Sequence, residues 1–92
     1  MKILTMKLSI YTMRRTVFTG ETTRVTAPTV TGEITVLDHH EPYVTILTPG
    51  ELRYVTIIPH GAGTAEKEET LKITGGFLEV RADNEIRILA DE

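Results

Sequence analysis

The densest run of side chains that could do chemistry is Asp38-His39-His40-Glu41. Two imidazoles between two carboxylates could ligate a transition metal or move protons, provided they converge on one point. The spacing argues against convergence. Adjacent strand residues point to opposite faces, so His39 and His40 are badly placed to share an ion. A His-x-His pair, which would put two rings on one strand face, does not occur, and His60 lies in a separate loop segment. Gly61-Ala62-Gly63-Thr64 lacks the lysine and following helix of a phosphate-binding loop. There is no nucleophile elbow, and no carboxylate pair can be set face to face for general acid–base work. With no cysteine, thiolate metal sites, cysteine nucleophiles and disulfides are excluded. The residue types point to no catalysis, no metal and no cofactor.

What remains is binding, and that depends on the elements that present a surface. A chain of 92 residues has room for a single domain over residues 1–92. A domain of this size buries only about 60–65% of its unfolded surface, which favours a life inside a complex. Net charge is -3, and the basic residues are dispersed, with no run beyond Arg14-Arg15. Nucleic acid is therefore not expected as a partner. Met1 to Ile10 carries Lys2 and Lys7 but no apolar stretch of signal-peptide or spanning length, and a soluble, cytoplasmic chain is expected.

Sixteen of the residues are threonine, and with Val and Ile they fill the patterned segments. β-Branched side chains suit a pleated surface and crowd a helix. Leu8 and Ile10, Val25 and Ala27, Ile34 and Val36, Leu71 and Ile73, Leu78 and Val80, and Ile86 and Ile88 each alternate with polar neighbours. Such a period of two means one buried and one wet face. Gly20, Pro28, Gly32, Pro42, Pro49-Gly50, Pro59 to Gly63, Gly75-Gly76 and Asp83-Asn84 punctuate these runs. Asp83-Asn84 reads as a tight hairpin, and Gly75-Gly76 as a bulge or close backbone approach. Glu66 to Leu71 could open a helical turn, but Thr70, Leu71 and Ile73 return it to strand. The expectation is all-β: a two-sheet sandwich, or flattened barrel, of eight to ten short, mostly antiparallel strands.

Two segments carry more than pattern. One is Gly32-Glu33-Ile34-Thr35-Val36-Leu37-Asp38-His39-His40-Glu41-Pro42-Tyr43-Val44-Thr45, followed by Pro49-Gly50. The other is Gly75-Gly76-Phe77-Leu78-Glu79-Val80, followed by Asn84 and by Ile88-Leu89-Ala90-Asp91. Together with Met6 to Thr12 and Val17 to Gly20, they resemble the N-terminal β-sandwich domain of the ATP synthase epsilon subunit family, in order and over nearly the whole chain. That family typically reads Gly-Glu-x-Gly-Val-Leu-Pro-x-His-x-Pro-Leu-x-Thr, then Pro-Gly, Gly-Gly-Phe/Ile-Leu-Glu-Val and Val-Leu-Ala-Asp. Thr35 and Asp38 stand where it usually has Gly and Pro, and His39 where it usually has a small residue. Pro59 to Ala65 looks longer than its usual hairpin loop.

The resemblance implies a non-catalytic rotor subunit on the cytoplasmic face of the bacterial inner membrane. Its partners would be the gamma subunit and the polar loops of the membrane c-ring. By position, Gly32 and Glu33 would meet the c-ring, and Ser9, Tyr11, Met13, His40, Pro42 and Thr45 would face gamma. The family usually continues into a two-helix hairpin to which ATP sensing and restraint of hydrolysis are attributed. The sequence stops at Glu92, so neither is expected of it. The alternative is a stand-alone sandwich binding a peptide or glycan. It would need exposed aromatic platforms, and Phe18 and Phe77 both read as buried.

Overall fold

The computed structural model describes residues 5–92; residues 1–4, on which part of the leader reading falls, lie outside it. The described residues form nine strands and no helix. They are β1 (Met6–Tyr11), β2 (Thr16–Thr22), β3 (Arg24–Thr29), β4 (Gly32–Leu37), β5 (Tyr43–Leu47), β6 (Gly50–His60), β7 (Gly63–Ile73), β8 (Gly75–Arg81) and β9 (Glu85–Asp91). Their order is β2-β1-β9-β8-β5-β3-β6-β7, with β4 against β3. β1 and β9 are parallel; the other pairs are antiparallel.

The ladder narrows to one pairing, Thr29 with Leu47, where β3 meets β5. There the sheet curls over, and β2-β1-β9-β8-β5 faces β4-β3-β6-β7 across one core. Leu8, Ile10, Val25, Val36, Leu52, Leu78, Ile86 and Ile88 are fully buried in that core. Every one sits at an inward position of the alternation. Each large side chain withdrawn from water contributes about 1.5–3 kcal/mol, which holds the two layers together. On the side where the ladder is open, the Phe18 ring of β2 packs on the Tyr54 ring of β6, with centroids 5.2 Å apart. Interior hydroxyls are paired locally: Thr22 Oγ1 donates to the Arg24 carbonyl at 3.0 Å, and Thr29 Oγ1 to the Gly32 carbonyl at 2.6 Å.

The sandwich is the expected one, with three local differences. Pro28 lies inside β3, opposite Glu33, and does not break it. Pro59 to Gly63 is not a loop. β6 and β7 stay paired to His60 and Gly63 around a two-residue turn, Gly61-Ala62. β3 pairs with β6 only at Arg53 and Tyr54, so the far part of β6 has β7 alone beside it. A residue without an N–H is tolerated where no second neighbour needs the amide. The β8–β9 turn has three residues, Ala82 to Asn84, because Arg81 pairs with Glu85; Asn84 takes the positive φ of 62°.

Candidate docking face

Leu78, Val80, Ile86 and Ile88 point inward, so the residues between them must stand on the outer face. Register sets these in rows. Ile46 of β5 lies opposite Phe77 of β8, Phe77 opposite Leu89 of β9, and Leu89 beside Tyr11 of β1. All four are exposed, at 51%, 54%, 47% and 40%. Val30 extends the row past Ile46, whose carbonyl accepts from the Val30 amide at 3.1 Å. At about 4.8 Å per strand, the apolar row runs for roughly 20 Å.

The next row is Val44, Glu79, Arg87 and Ser9. Here ion pairs form a chain: Arg81 reaches Glu79 at 3.7 Å and Glu85 at 3.4 Å, and Arg87 reaches Glu85 at 3.6 Å. An apolar strip beside a self-neutralised polar rim is the anatomy of a docking surface.

The far end is built by the loop after β1. Thr12 Oγ1 accepts the amides of Arg14 and Arg15, each at 3.2 Å, and the Thr12 amide donates to the Arg15 carbonyl at 2.8 Å. Arg15 pairs with Glu92, which raises the guanidinium pKa. The loop is thus tied to the end of β9, and it displays Met13 at 87% exposure. Beneath the row, Gly76 has φ 133°, and a Cβ there would collide with the Leu89 carbonyl oxygen. Of the bulge or close approach read at Gly75-Gly76, the close approach is present, at Gly76.

The residues singled out from sequence are not all in one place. Ser9, Tyr11 and Met13 lie on or beside this face. His40 and Pro42 are exposed in the β4–β5 turn, where Pro42 borders the corner made by Val44, Glu79 and Arg81. His40 is satisfied locally: its Nδ1 donates to the Glu41 carbonyl at 2.8 Å, and its ring lies 6.2 Å from Tyr43. Thr45 faces the other way. It is buried on the inward side of β5, where its hydroxyl and that of Thr31 hydrogen-bond Tyr43 and lower the phenol's pKa. Gly32 and Glu33 open β4 just past the turn tip at Val30 and Thr31, and Glu33 is 3.3 Å from Arg53 on β6. Among the described residues no group of three His, Asp or Glu could hold a metal.

Phe77 is a correction: it is exposed, not buried, because the parity that sends Leu78 and Val80 inward sends it out. Residue type hid it, and with it Ile46 and Leu89. Parity from Leu78 and Val80 and from Ile86 and Ile88 would have found Phe77 and Leu89, whereas Ile46 is placed by the register of β5 on β8.

The family comparison falls on this framework. Residues 5–92 match the model of the ATP synthase delta/epsilon chain β-sandwich domain. The chain belongs to that family. Within the delta/epsilon chains, it is 42% identical over 86 residues to the ATP synthase epsilon chain of Dehalococcoides mccartyi strain BAV1, covering 94% of this chain and 55% of that one. It is 40% identical over 88 residues to the epsilon chain of Herpetosiphon aurantiacus, covering 92% and 56%. It thus spans little more than half the length of these relatives. Among solved structures, this delta/epsilon sandwich superposes on a chain of the Euglena gracilis mitochondrial ATP synthase OSCP/F1/c-ring assembly with TM-score 0.79 and 26% identity, over 97% of this chain and 52% of that one. A chain of the Tetrahymena thermophila mitochondrial ATP synthase central stalk and c-ring shares the fold, with TM-score 0.74 and 21% identity, over 100% of this chain and 67% of that one.

Proposed function

We propose that this sandwich is a non-catalytic rotor element of a bacterial ATP synthase, held on the cytoplasmic face of the inner membrane between the gamma subunit and the c-ring. The observation that carries the reading is the exposed apolar row Ile46-Phe77-Leu89-Tyr11 on a rigid two-layer support. Contiguous apolar surface beyond scattered single residues marks a site of protein contact. On this reading gamma covers the row, Val30 and Met13 extend the contact at its two ends, and Ser9, His40 and Pro42 lie along its border.

The Gly32–Glu33 end of the hairpin is the proposed c-ring contact. Glu33 is 63% exposed and its partner Arg53 40%. An ion pair this open to water contributes little to the fold, so its carboxylate can turn to a cation or amide of a neighbouring loop. Torque transmission asks for stiffness at both contacts, and a close-packed sandwich supplies it.

The test is co-expression with the gamma subunit of the same genome, followed by size exclusion. One-to-one co-elution is expected. It should be lost in a Phe77→Asp/Leu89→Asp variant that remains folded. A wild-type chain that elutes alone beside folded gamma defeats the proposal, and peptide or glycan binding by the same exposed aromatic face becomes the reading to pursue.

A further inference from the structure

We infer that Asn84 is the positioning residue of the docking face: its side chain clasps the β4–β5 turn to the start of β1 and to the β8–β9 hairpin. Three chain segments meet at this one amide. Asn84 Nδ2 donates to Asp38 Oδ1 at 2.7 Å and to the Thr5 carbonyl at 3.0 Å. Its Oδ1 accepts the His39 amide at 3.0 Å, and its own carbonyl accepts the Lys7 amide at 3.1 Å. Both side-chain N–H groups and the side-chain oxygen are in use.

The turn has need of such a clasp. His39 sits at φ 62°, a left-handed conformation that is unfavourable for a side chain with a Cβ. Within the turn, the backbone bond from the His40 amide to the Leu37 carbonyl is 3.2 Å long. The remaining support comes from side chains: Asp38 Oδ2 holds His39 Nδ1 at 2.5 Å, while Asp38 Oδ1 is held by Asn84. Asn84 reaches its place because it too is left-handed, which asparagine tolerates better than most residues.

The consequence reaches the docking face. Tyr43 pairs with Val80, so the turn delivers Pro42 and Val44 to the corner beside Glu79 and Arg81. The same Asn84 anchors the strand that carries Ser9 and Tyr11, close to the parallel pairing of Lys7 with Glu85. One side chain therefore sets two borders of the face relative to each other. Its effect on docking rests on the gamma-binding reading above; its effect on the turn does not.

The experiment separates the two. Asn84→Gly keeps the left-handed backbone and removes every side-chain bond. Asn84→Asp keeps the acceptor but sets a carboxylate against Asp38. The double variant Asp38→Asn/Asn84→Asp restores the arm to residue 38 as an amide–carboxylate hydrogen bond with donor and acceptor exchanged, but not the bond to the Thr5 carbonyl. In the free chain, amide exchange at His39 and His40, the turn amides that donate to Asn84 and to Leu37, should quicken about tenfold in both single variants, while core amides of β1 and β9 keep their protection. Affinity for gamma should fall by about tenfold in step, and the double variant should recover part of both losses. Unchanged exchange at His39 and His40 in Asn84→Gly, or a double variant no better than Asn84→Asp, overturns the clasp. Altered exchange with unchanged gamma affinity overturns the positioning role. If the wild-type chain binds no gamma, the docking reading fails, and the exchange data still decide the clasp.

Discussion

At the scale of single residues, exposure and packing separate two kinds of side chain that look alike in sequence. Phe18 packs on Tyr54, whereas Phe77 stands on the outer face. Phe77→Asp should change the folding free energy by less than about 0.5–1 kcal/mol, since it removes no core contact. At the centre of a docking row it should weaken binding by about 2 kcal/mol or more. Urea unfolding and titration calorimetry on the same variant distinguish the two effects. Gly76→Ala should act in the opposite way, destabilising the fold by about 1–3 kcal/mol or more through a positive φ and a collision with the Leu89 carbonyl. Tyr54 gives a pH prediction. Burial raises its phenol pKa above the ordinary value, Glu69 adds to this, and Arg15 opposes it. The folded state then keeps its proton where the unfolded chain has lost it. This stability is whole below the ordinary tyrosine value of about 10 and is lost as pH rises through the folded value. Tyr54→Phe should therefore lose less stability than wild type between about pH 8 and about pH 11, read as the shift in urea midpoint.

At the scale of elements, the long β6–β7 ribbon divides at its middle. Leu52, Tyr54 and Val55 are buried, while Pro59 to Thr64 is exposed throughout. A two-stranded ribbon with no layer against it is marginally stable alone. Amides beyond Thr56 on β6 should exchange much faster than those of β1 and β9, which have neighbours on both sides. Replacing Ile57–Glu66 by an Asn-Gly turn should leave a cooperatively folding sandwich, checked by its thermal transition. Loss of the transition would mean that the ribbon tip takes part in the core. The alternation of Thr, Val and Ile made these strands legible, but Pro59 and the two glycines after it read as an early stop. Whether a proline breaks a strand depends on which neighbours need its amide, and the local sequence does not contain those neighbours.

At the scale of the whole molecule, the proposed docking face exists only because β5, the β8–β9 hairpin and β1, far apart in sequence, lie side by side. β1 and β9, from opposite ends of the described chain, supply half of the row as a parallel pair. Its rim is already paired within itself through Arg81, Arg87, Glu79 and Glu85. Binding to gamma should therefore change less than about threefold between roughly 50 mM and 500 mM salt, because little unpaired charge is available for screening. A steep salt dependence would move the contact to the charged outer face of the other layer, where Arg24 pairs with Glu68 and Arg53 with Glu33.

The sequence by itself determined which residues of its alternating apolar runs go inside, since a period of two and β-branched composition leave few other solutions for a chain of this length. It also carried the family, through Gly32 to Thr45 and Gly75 to Val80, and the close approach at Gly76. The tertiary structure decided what the outward residues do together. Phe77 acquires its neighbours Ile46 and Leu89 only through the register of three strands, and Thr45 is lost from the surface by the same parity. In the sequence Asn84 read as half of a turn signal and as one residue of the family resemblance, with no partner assigned. Its bonds run to Asp38 and Thr5, 46 and 79 residues away in the chain, and contacts at that separation are set by the closed sheet and not by any local preference.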